Sequence, residues 1–353
     1  MDADALKDYA KLVFGSLGGA MTSAMIFLGD RLGLYRAMAG AGALTSTELA
    51  EKTQLSERWI REWLHQQGAA GVLEFRGDGR FALSPEGVAV LSDESHPAFG
   101  GGFFSHLPQM LAVAEKLPES FRTGLGLPYD AFGPEGARGI ERGCGPWFRA
   151  LLVPMVLPRI DGVVPALEKG VDVADVGCGA GVALIEMAKA FPNSEFPGYD
   201  ISRHALDRAE KNRTEAGVDN VSFHDVSRDP LPAEERFAFV TTIDCLHDMS
   251  NPAAAVAAIR RSIRPDGTWL IVDIKAHETY EENVERNPMA AMMYGTSVLA
   301  CMSSALSEPD GAGLGTLGFP ETLAQRMVND AGFTKFETLD LGHPVNAFYV
   351  VRP

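Results

Sequence analysis

Apolar residues along this chain follow two different rhythms, and the change comes near residue 171. From Ser16 to Met38 the text SLGGAMTSAMIFLGDRLGLYRAM is apolar around much of a helical circumference, as in a helix buried against another subunit or domain. In LTSTELAEKTQLSERWIREWLHQQG, Thr45 and Ser56 stand where the N-caps of two further helices belong. VLEFRGDGRFAL then predicts two short strands joined by a Gly77-Asp78-Gly79 turn. Two helices and a β-wing describe a winged helix-turn-helix. Residues 95–165 are rich in glycine, proline and aromatics. They predict helices with loops, and several stretches (FGGGFFSHLPQM, GLPYDAFGPEG, GPWFRALL) read as walls of a cavity as much as linker.

Beyond Val171 short apolar runs alternate with helical stripes, the signature of strands buried on both faces between helices. VADVG is a strand, GCGAG a glycine-rich turn, and Val182 to Phe191 a helix whose Leu184, Met187, Ala188 and Phe191 form one stripe. A second strand finishes at Asp200, and Pro197 within it predicts a bulge or a shortened strand, because proline cannot donate to a ladder. VSFHD and FAFVTTID are third and fourth strands. NPAAAVAAIRRS is a helix with Asn251 as N-cap, Pro252 at its first position and arginines near its end. TWLIVDIK is a fifth strand, and KFETLDL with NAFYVVR reads as a closing hairpin.

Composition narrows the partners. At 353 residues the chain is long enough for two domains, and 46% hydrophobic with 22% charged residues is ordinary for a globular protein. No uninterrupted run of 18 apolar residues occurs, so no membrane span is expected, and the N-terminus lacks the basic-then-apolar order of a secretory signal. Cys144, Cys178, Cys245 and Cys301 are scattered with no C-x-x-C pair, which points to reduced thiols and a cytoplasmic protein. The net charge of −16 opposes nucleic-acid binding. From Leu44 to Leu91 seven acidic residues stand against five basic ones, and the second helix commits Trp59, Ile60, Trp63 and Leu64 to apolar contact. A dimerisation role therefore suits the winged helix better than DNA binding.

The strand-glycine turn-helix-strand unit ending in Asp200 is a nucleoside-binding crevice, in which glycine admits the ligand to the backbone and the carboxylate accepts from ribose hydroxyls. A dinucleotide fingerprint needs a third glycine where Val182 stands. The arrangement Asp175-x-Gly177-x-Gly179-x-Gly181 instead resembles motif I of class I S-adenosylmethionine (SAM) methyltransferases, and the order of strands from Val171 onward agrees with that family. The resemblance implies an α/β fold: a Rossmann-like, seven-stranded methyltransferase domain preceded by a helical winged-helix dimerisation domain. It further implies SAM as cofactor, held by Asp175, Gly177, Cys178, Gly179 and Gly181, by Asp200 with Ile201, by Asp225 with Val226 near the adenine, and by Asp244 with Cys245.

His247 follows the fourth strand, at the carboxyl edge where open α/β sheets bind ligands. CLHDMSNP resembles the corresponding loop of plant-type small-molecule O-methyltransferases, whose histidine is a general base; the chain is also similar to a group of actinobacterial, including mycobacterial, methyltransferases. The resemblance gives His247 the base role and Asp273 that of orienting it, with no acidic match for the family's later carboxylate around Gly315 to Pro320. A loop histidine that only packs is the competing reading, and both stand at this point. Metal binding is not expected, since neither His224 nor His277 has ligand spacing to His247. Asp248 is expected to support the loop.

These readings place an N-terminal helix and winged-helix domain at 1–93, a helical pocket wall at 94–165 and a methyltransferase domain at 166–353, with a lid insertion at about 279–320. The expected activity is methyl transfer to a small apolar or aromatic molecule at a hydroxyl. Tyr129, Trp147, Phe148, Met292 and Tyr294 are candidates for the acceptor pocket, and a homodimer through the N-terminal domain is the expected assembly. A SAM-binding regulator using the winged helix, or a SAM-binding protein without turnover, are the alternatives.

Overall fold

The computed structural model describes residues 1–353, which divide into two compact units. The first comprises Met1–Leu107 and Arg142–Ala150, the second Pro108–Glu141 and Leu151–Pro353. The stretch read as a pocket wall is thus split between them.

In the first unit α1 (Ala3–Arg31) opens on Asp2, whose carboxylate accepts from the Asp4 and Ala5 amides. There follow α2 (Leu34–Met38), α3 (Ser46–Thr53), α4 (Glu57–Ala69), the antiparallel wing β1 (Glu74–Phe75) and β2 (Phe81–Ala82), α5 (Pro85–Leu91) and α6 (Gly101–Ser105). Thr45 and Glu48 close a capping box on α3. Ser56 holds the N-cap position of α4 with extended backbone but makes no side-chain cap bond; Glu57 in the first turn answers the helix dipole instead. Gly77, Asp78 and Gly79 turn the wing at φ of 86°, 47° and 68°, left-handed values that glycine adopts freely.

Leu34, Tyr35, Met38, Leu49, Ile60, Trp63 and Leu64 form the first unit's core. Trp59 does not join it and is 80% exposed, a correction to the sequence reading. It precedes Ile60 by one residue, hence lies about 100° round the helix from it, outside the buried stripe. Arg58 pairs with Glu62, Arg61 with Glu57, Arg76 with Glu74 and Arg80 with Glu48, so four of the five basic residues of the winged helix already face acids. Only the end of α1 is buried, at Ile26, Gly29 and Asp30. A Cβ on Gly29 would stand 2.6 Å from the Trp63 ring, so close approach requires glycine there. Earlier in the helix Leu6, Tyr9, Leu12, Val13, Phe14, Leu17 and Met21 are exposed. By length and composition α1 would also cross a bilayer, with a mean hydropathy of 1.6 over its most apolar window, although no uninterrupted apolar run in it reaches 18 residues.

The second unit begins with α7 (Leu107–Val113), α8 (Leu117–Thr123), a 3₁₀ turn at Tyr129–Phe132 and α9 (Gly133–Trp147), whose last residues belong to the first unit. After α10 (Val163–Lys169) the chain alternates β3 (Val173–Val176), α11 (Val182–Ala190), β4 (Phe196–Asp200), α12 (Arg203–Ala216), β5 (Val221–Asp225), β6 (Phe237–Ile243), α13 (Pro252–Ser262) and β7 (Ile263–Ile274). Four short helical segments follow: α14 (Tyr280–Arg286), α15 (Ala290–Thr296), a π-helical turn (Ser297–Cys301) and α16 (Met302–Ala305). Helix α17 (Glu321–Asp330) and strands β8 (Lys335–Thr338) and β9 (Asn346–Arg352) complete the unit. The seven strands lie in the order β5-β4-β3-β6-β7-β9-β8, all parallel except β9, which runs against both its neighbours.

Asn251 caps α13 by accepting from the Ala254 amide, with Pro252 at the first turn. Pro197 neither bulges nor shortens β4, contrary to expectation: the β4–β5 register runs unbroken from Phe196 to Asp200. In a parallel strand successive amides point to opposite neighbours. Glu195 donates to Val171 on the β3 side and Phe196 to Asn220 on the β5 side. The missing Pro197 donor therefore falls toward β3, where the ladder lapses between the Asp172–Glu195 bridge and the Asp175–Gly198 pair. One rung is lost and the strand stays straight.

Candidate active site at the carboxyl edge of the sheet

The turn after β3 is built from three left-handed glycines, Gly177, Gly179 and Gly181, at φ of 78°, 55° and 72°. Its amides point inward. Gly177 and Cys178 donate to the Tyr199 carbonyl at 2.8 and 3.1 Å, and Gly179 donates to Asp200 Oδ2 at 2.8 Å. A phosphate-binding loop aims such amides at its ligand, whereas this one uses them to hold the end of β4. Gly177 and Gly181 are packing glycines: a Cβ would stand 2.6 Å from Cys245 Sγ and 2.3 Å from the Phe223 ring respectively. Gly179 has nothing within 4 Å and is the open rim of the turn.

The candidate residues occupy two layers around this turn. In the buried layer Asp175 accepts from Thr241 Oγ1 at 2.7 Å, and burial pushes its carboxyl up to about 7. Cys178 lies against Gly198, and Cys245 donates to the Val176 carbonyl at 3.1 Å. Burial raises both thiols, which makes them inert packing groups. None of the four cysteines is in a disulfide. In the outer layer Asp200 and Asp225 end neighbouring strands as direct partners in the register. Burial raises the Asp200 carboxyl above its usual range, although the Ser202 and Gly179 amides bind it. Asp225 is held below the usual range by the hydroxyl and amide of Ser227. Ile201 is 63% exposed beside Asp200, and Val226 donates to the Asp200 carbonyl while packing on the core.

His247 sits in a 3₁₀ turn (Leu246–Asp248) just past β6 and is only 3% exposed. Its Nδ1 lies 2.5 Å from Asp273 Oδ1 at the end of β7, and that same oxygen accepts from the Ile274 amide at 2.7 Å. Asp273 is 1% exposed and its Oδ2 has no hydrogen-bond partner. Burial opposes charge on His247, but the charge and hydrogen bond of Asp273, with Cys301 alongside, push the imidazole well above its ordinary range. Asp244 follows β6 in a left-handed conformation, φ 51°, and accepts from Asn346 Nδ2 on β9. Burial lifts the carboxyls of Asp244 and Asp248 to about 7, with nearby charges modulating each.

Residues 167–331 match the family model described as a methyltransferase domain, and residues 20–93 match that of an Rv2258c-like winged HTH domain. Residues 167–331 form a methyltransferase domain. A ubiquinone biosynthesis O-methyltransferase from Paracidovorax citrulli is 33% identical over 119 residues, which are 33% of this chain and 48% of that protein. The chain thus spans about half the length of the curated relatives it matches. Among solved structures, human N-acetylserotonin methyltransferase in complex with SAM aligns with a TM-score of 0.69 at 18% identity, over 100% of this chain and 98% of that one. Mitomycin 7-O-methyltransferase MmcR aligns with a TM-score of 0.67 at 19% identity, over the full length of both. At these identities the likeness concerns the fold.

The methyltransferase domain also draws in residues that sequence reasoning passed over. Ser202 donates to Asp130 at 2.5 Å, which ties the Tyr129–Phe132 turn to the loop after Asp200. Arg208 and Asn212 on α12 bind Glu141 on α9. The insertion after β7 reaches His247 from the other side: Gly315 donates to the His247 carbonyl at 3.0 Å, and Thr316 donates to Ser297 Oγ at 3.2 Å. Cys301 closes the π-helical turn beside His247, and together with Asp248 it forms a cluster with ligand atoms within 4.8 Å of one another. That cluster gives His247 two neighbours with ligand atoms that the spacing in the sequence did not reveal. No local pattern signals Cys301, because its proximity depends on how the insertion folds back. His224, by contrast, stacks on Tyr199 of β4 and bonds Asp229 and Ser222.

Of the pocket candidates, Tyr129 packs edge-on to Phe132 and Tyr294 leans on Tyr280, with Met292 61% exposed on α15. Trp147 and Phe148 fall in the first unit, where they pack edge to face at 5.3 Å.

Proposed function

We propose that this chain transfers a methyl group from SAM to a hydroxyl of a small apolar or aromatic molecule, with His247 as general base. The observation that carries the reading is the buried His247–Asp273 pair, 2.5 Å from Nδ1 to Oδ1, at the carboxyl edge of the sheet beside the glycine turn. SAM fits the turn better than a dinucleotide does. Val182 stands where a dinucleotide fingerprint needs its third glycine, Gly179 opens the rim, and Asp200 and Asp225 offer carboxylates to hydroxyl and amino donors, with exposed Ile201 as an apolar face for the adenine ring.

When bound, SAM supplies an electrophilic methyl. This chain's own task is to remove the acceptor proton and hold the oxygen in line. Asp273 keeps Nδ1 as the donor nitrogen, so Nε2 is the atom left to take a proton from the acceptor. Met292, Tyr294 and Tyr129 would supply an adaptable apolar wall. The exposed apolar residues of α1 suit burial against a second copy of the chain, giving a homodimer through the N-terminal domain.

The test joins turnover to calorimetry. His247→Ala is expected to lower kcat on a phenolic acceptor by roughly 10²–10⁴-fold, the usual share of a general base, while SAM affinity stays near wild type. Asp200→Ala should do the reverse and weaken SAM binding. Full turnover by the His247 variant near neutral pH would reduce the histidine to a packing group.

A further inference from the structure

We propose that His247, Asp248 and Cys301 form a binding site for a thiophilic divalent cation of the zinc class. One ligand atom from each lies within 4.8 Å of those of the other two. Imidazole, carboxylate and thiolate are the donors zinc selects, and three protein ligands with one position open describe an accessible site rather than a closed structural one. Magnesium and calcium, which favour sets made of oxygen, are excluded by the same chemistry.

The surroundings are arranged as around a metal-binding histidine. Asp273 takes Nδ1 at 2.5 Å and is itself anchored by the Ile274 amide at 2.7 Å, so ring orientation is set and Nε2 remains for a ligand. Cys301 ends a π-helical turn, an irregularity frequent at functional sites. That turn is braced by the Thr316 amide on Ser297 Oγ, and the adjoining Gly315 amide holds the His247 carbonyl. Bonds to zinc of about 2.0–2.3 Å require the three groups to draw together. Asp248 and Cys301 are only half-buried, and rotation of their side chains toward His247 is the movement the site requires. A cation there occupies the lone pair that the proposed base uses. Inhibition of methyl transfer therefore rests on that reading, whereas binding of the cation does not.

Cobalt(II) serves as an optical probe, because thiolate ligation gives a near-ultraviolet charge-transfer band and tetrahedral geometry intense visible bands. Metal-free, reduced protein titrated with Co²⁺ is expected to show both at one equivalent, with Zn²⁺ displacing the signal and Mg²⁺ leaving it. Cys301→Ser should abolish the charge-transfer band, and Asp273→Asn should weaken Co²⁺ binding by about 10–100-fold, as loss of a supporting carboxylate does elsewhere. Circular dichroism of each variant separates lost ligation from lost fold. A band that persists in Cys301→Ser, or no band at one equivalent in wild type, overturns the site. The optical readout needs no turnover, so it stands even where His247→Ala remains active and the base reading falls.

Discussion

At the scale of single residues the decisive feature is a histidine whose charge is favoured by its neighbour. In the proposed role of base His247 must be neutral to accept a proton, so the Asp273 charge that favours the imidazolium delays its readiness as pH rises. Asp273 raises the imidazole, and turnover limited by proton removal should therefore climb with pH until His247 is deprotonated. Replacing Asp273 with Asn removes the charge and keeps the shape. The rising limb of kcat/KM against pH is expected to move to lower pH, while the plateau drops roughly tenfold or more because an amide can hold the wrong tautomer. Burial also lifts Asp244 and Asp248 to about 7, and the Asp273 charge raises both, so neither the wild-type profile nor the Asp273→Asn displacement alone assigns the limb. A limb that persists in Asp244→Asn and in Asp248→Asn belongs to His247. A limb that disappears in either variant belongs to that carboxyl instead. His247 was legible in sequence because it follows a strand of clear apolar pattern, and Asp273 because the end of the fifth strand resembles that of plant-type O-methyltransferases.

At the scale of elements the glycine turn separates two effects that sequence merges. Gly179 and Gly181 both have left-handed backbone, but only Gly181 is packed, with 2.3 Å from a Cβ to the Phe223 ring. Gly179→Ala should lose only the backbone term, about 1–2 kcal/mol. Gly181→Ala adds overpacking of roughly 1–3 kcal/mol and should lower the urea midpoint distinctly more. Equal midpoints would mean that Phe223 swings aside freely. The motif spacing reveals that glycines are needed here and not which of them abuts a ring. Pro197 makes the same point: proline forbids a donor, but only the pairing of β3, β4 and β5 shows that the loss falls on one side.

At the scale of the whole chain, an apolar helix with a bare first half calls for a partner. Leu12 and Phe14 are both exposed on α1, and Leu12→Glu with Phe14→Glu places charge there without touching the buried Ile26–Asp30 end. Sedimentation is expected to give a dimer for wild type and a monomer for the double variant. Wild type that sediments as a monomer and floats with lipid vesicles would instead identify a membrane surface as the partner, in keeping with the helix's length and composition.

The sequence by itself determined the periodic elements of the methyltransferase domain, the glycine turn, and the acidic or histidine residues that end its strands. Each of these is encoded within a few neighbouring positions, by alternation, helical stripes and the conformational needs of glycine. Only the tertiary structure decided that Trp59 stays outside the core, that Asp244 meets Asn346, that Asp130 reaches Ser202 and that Cys301 stands beside His247. Trp59 sits at the margin of its helical stripe, where side-chain direction matters more than spacing. The other three join residues far apart in the chain, and how separate helices and loops stack is a property of the packed molecule that no local pattern carries.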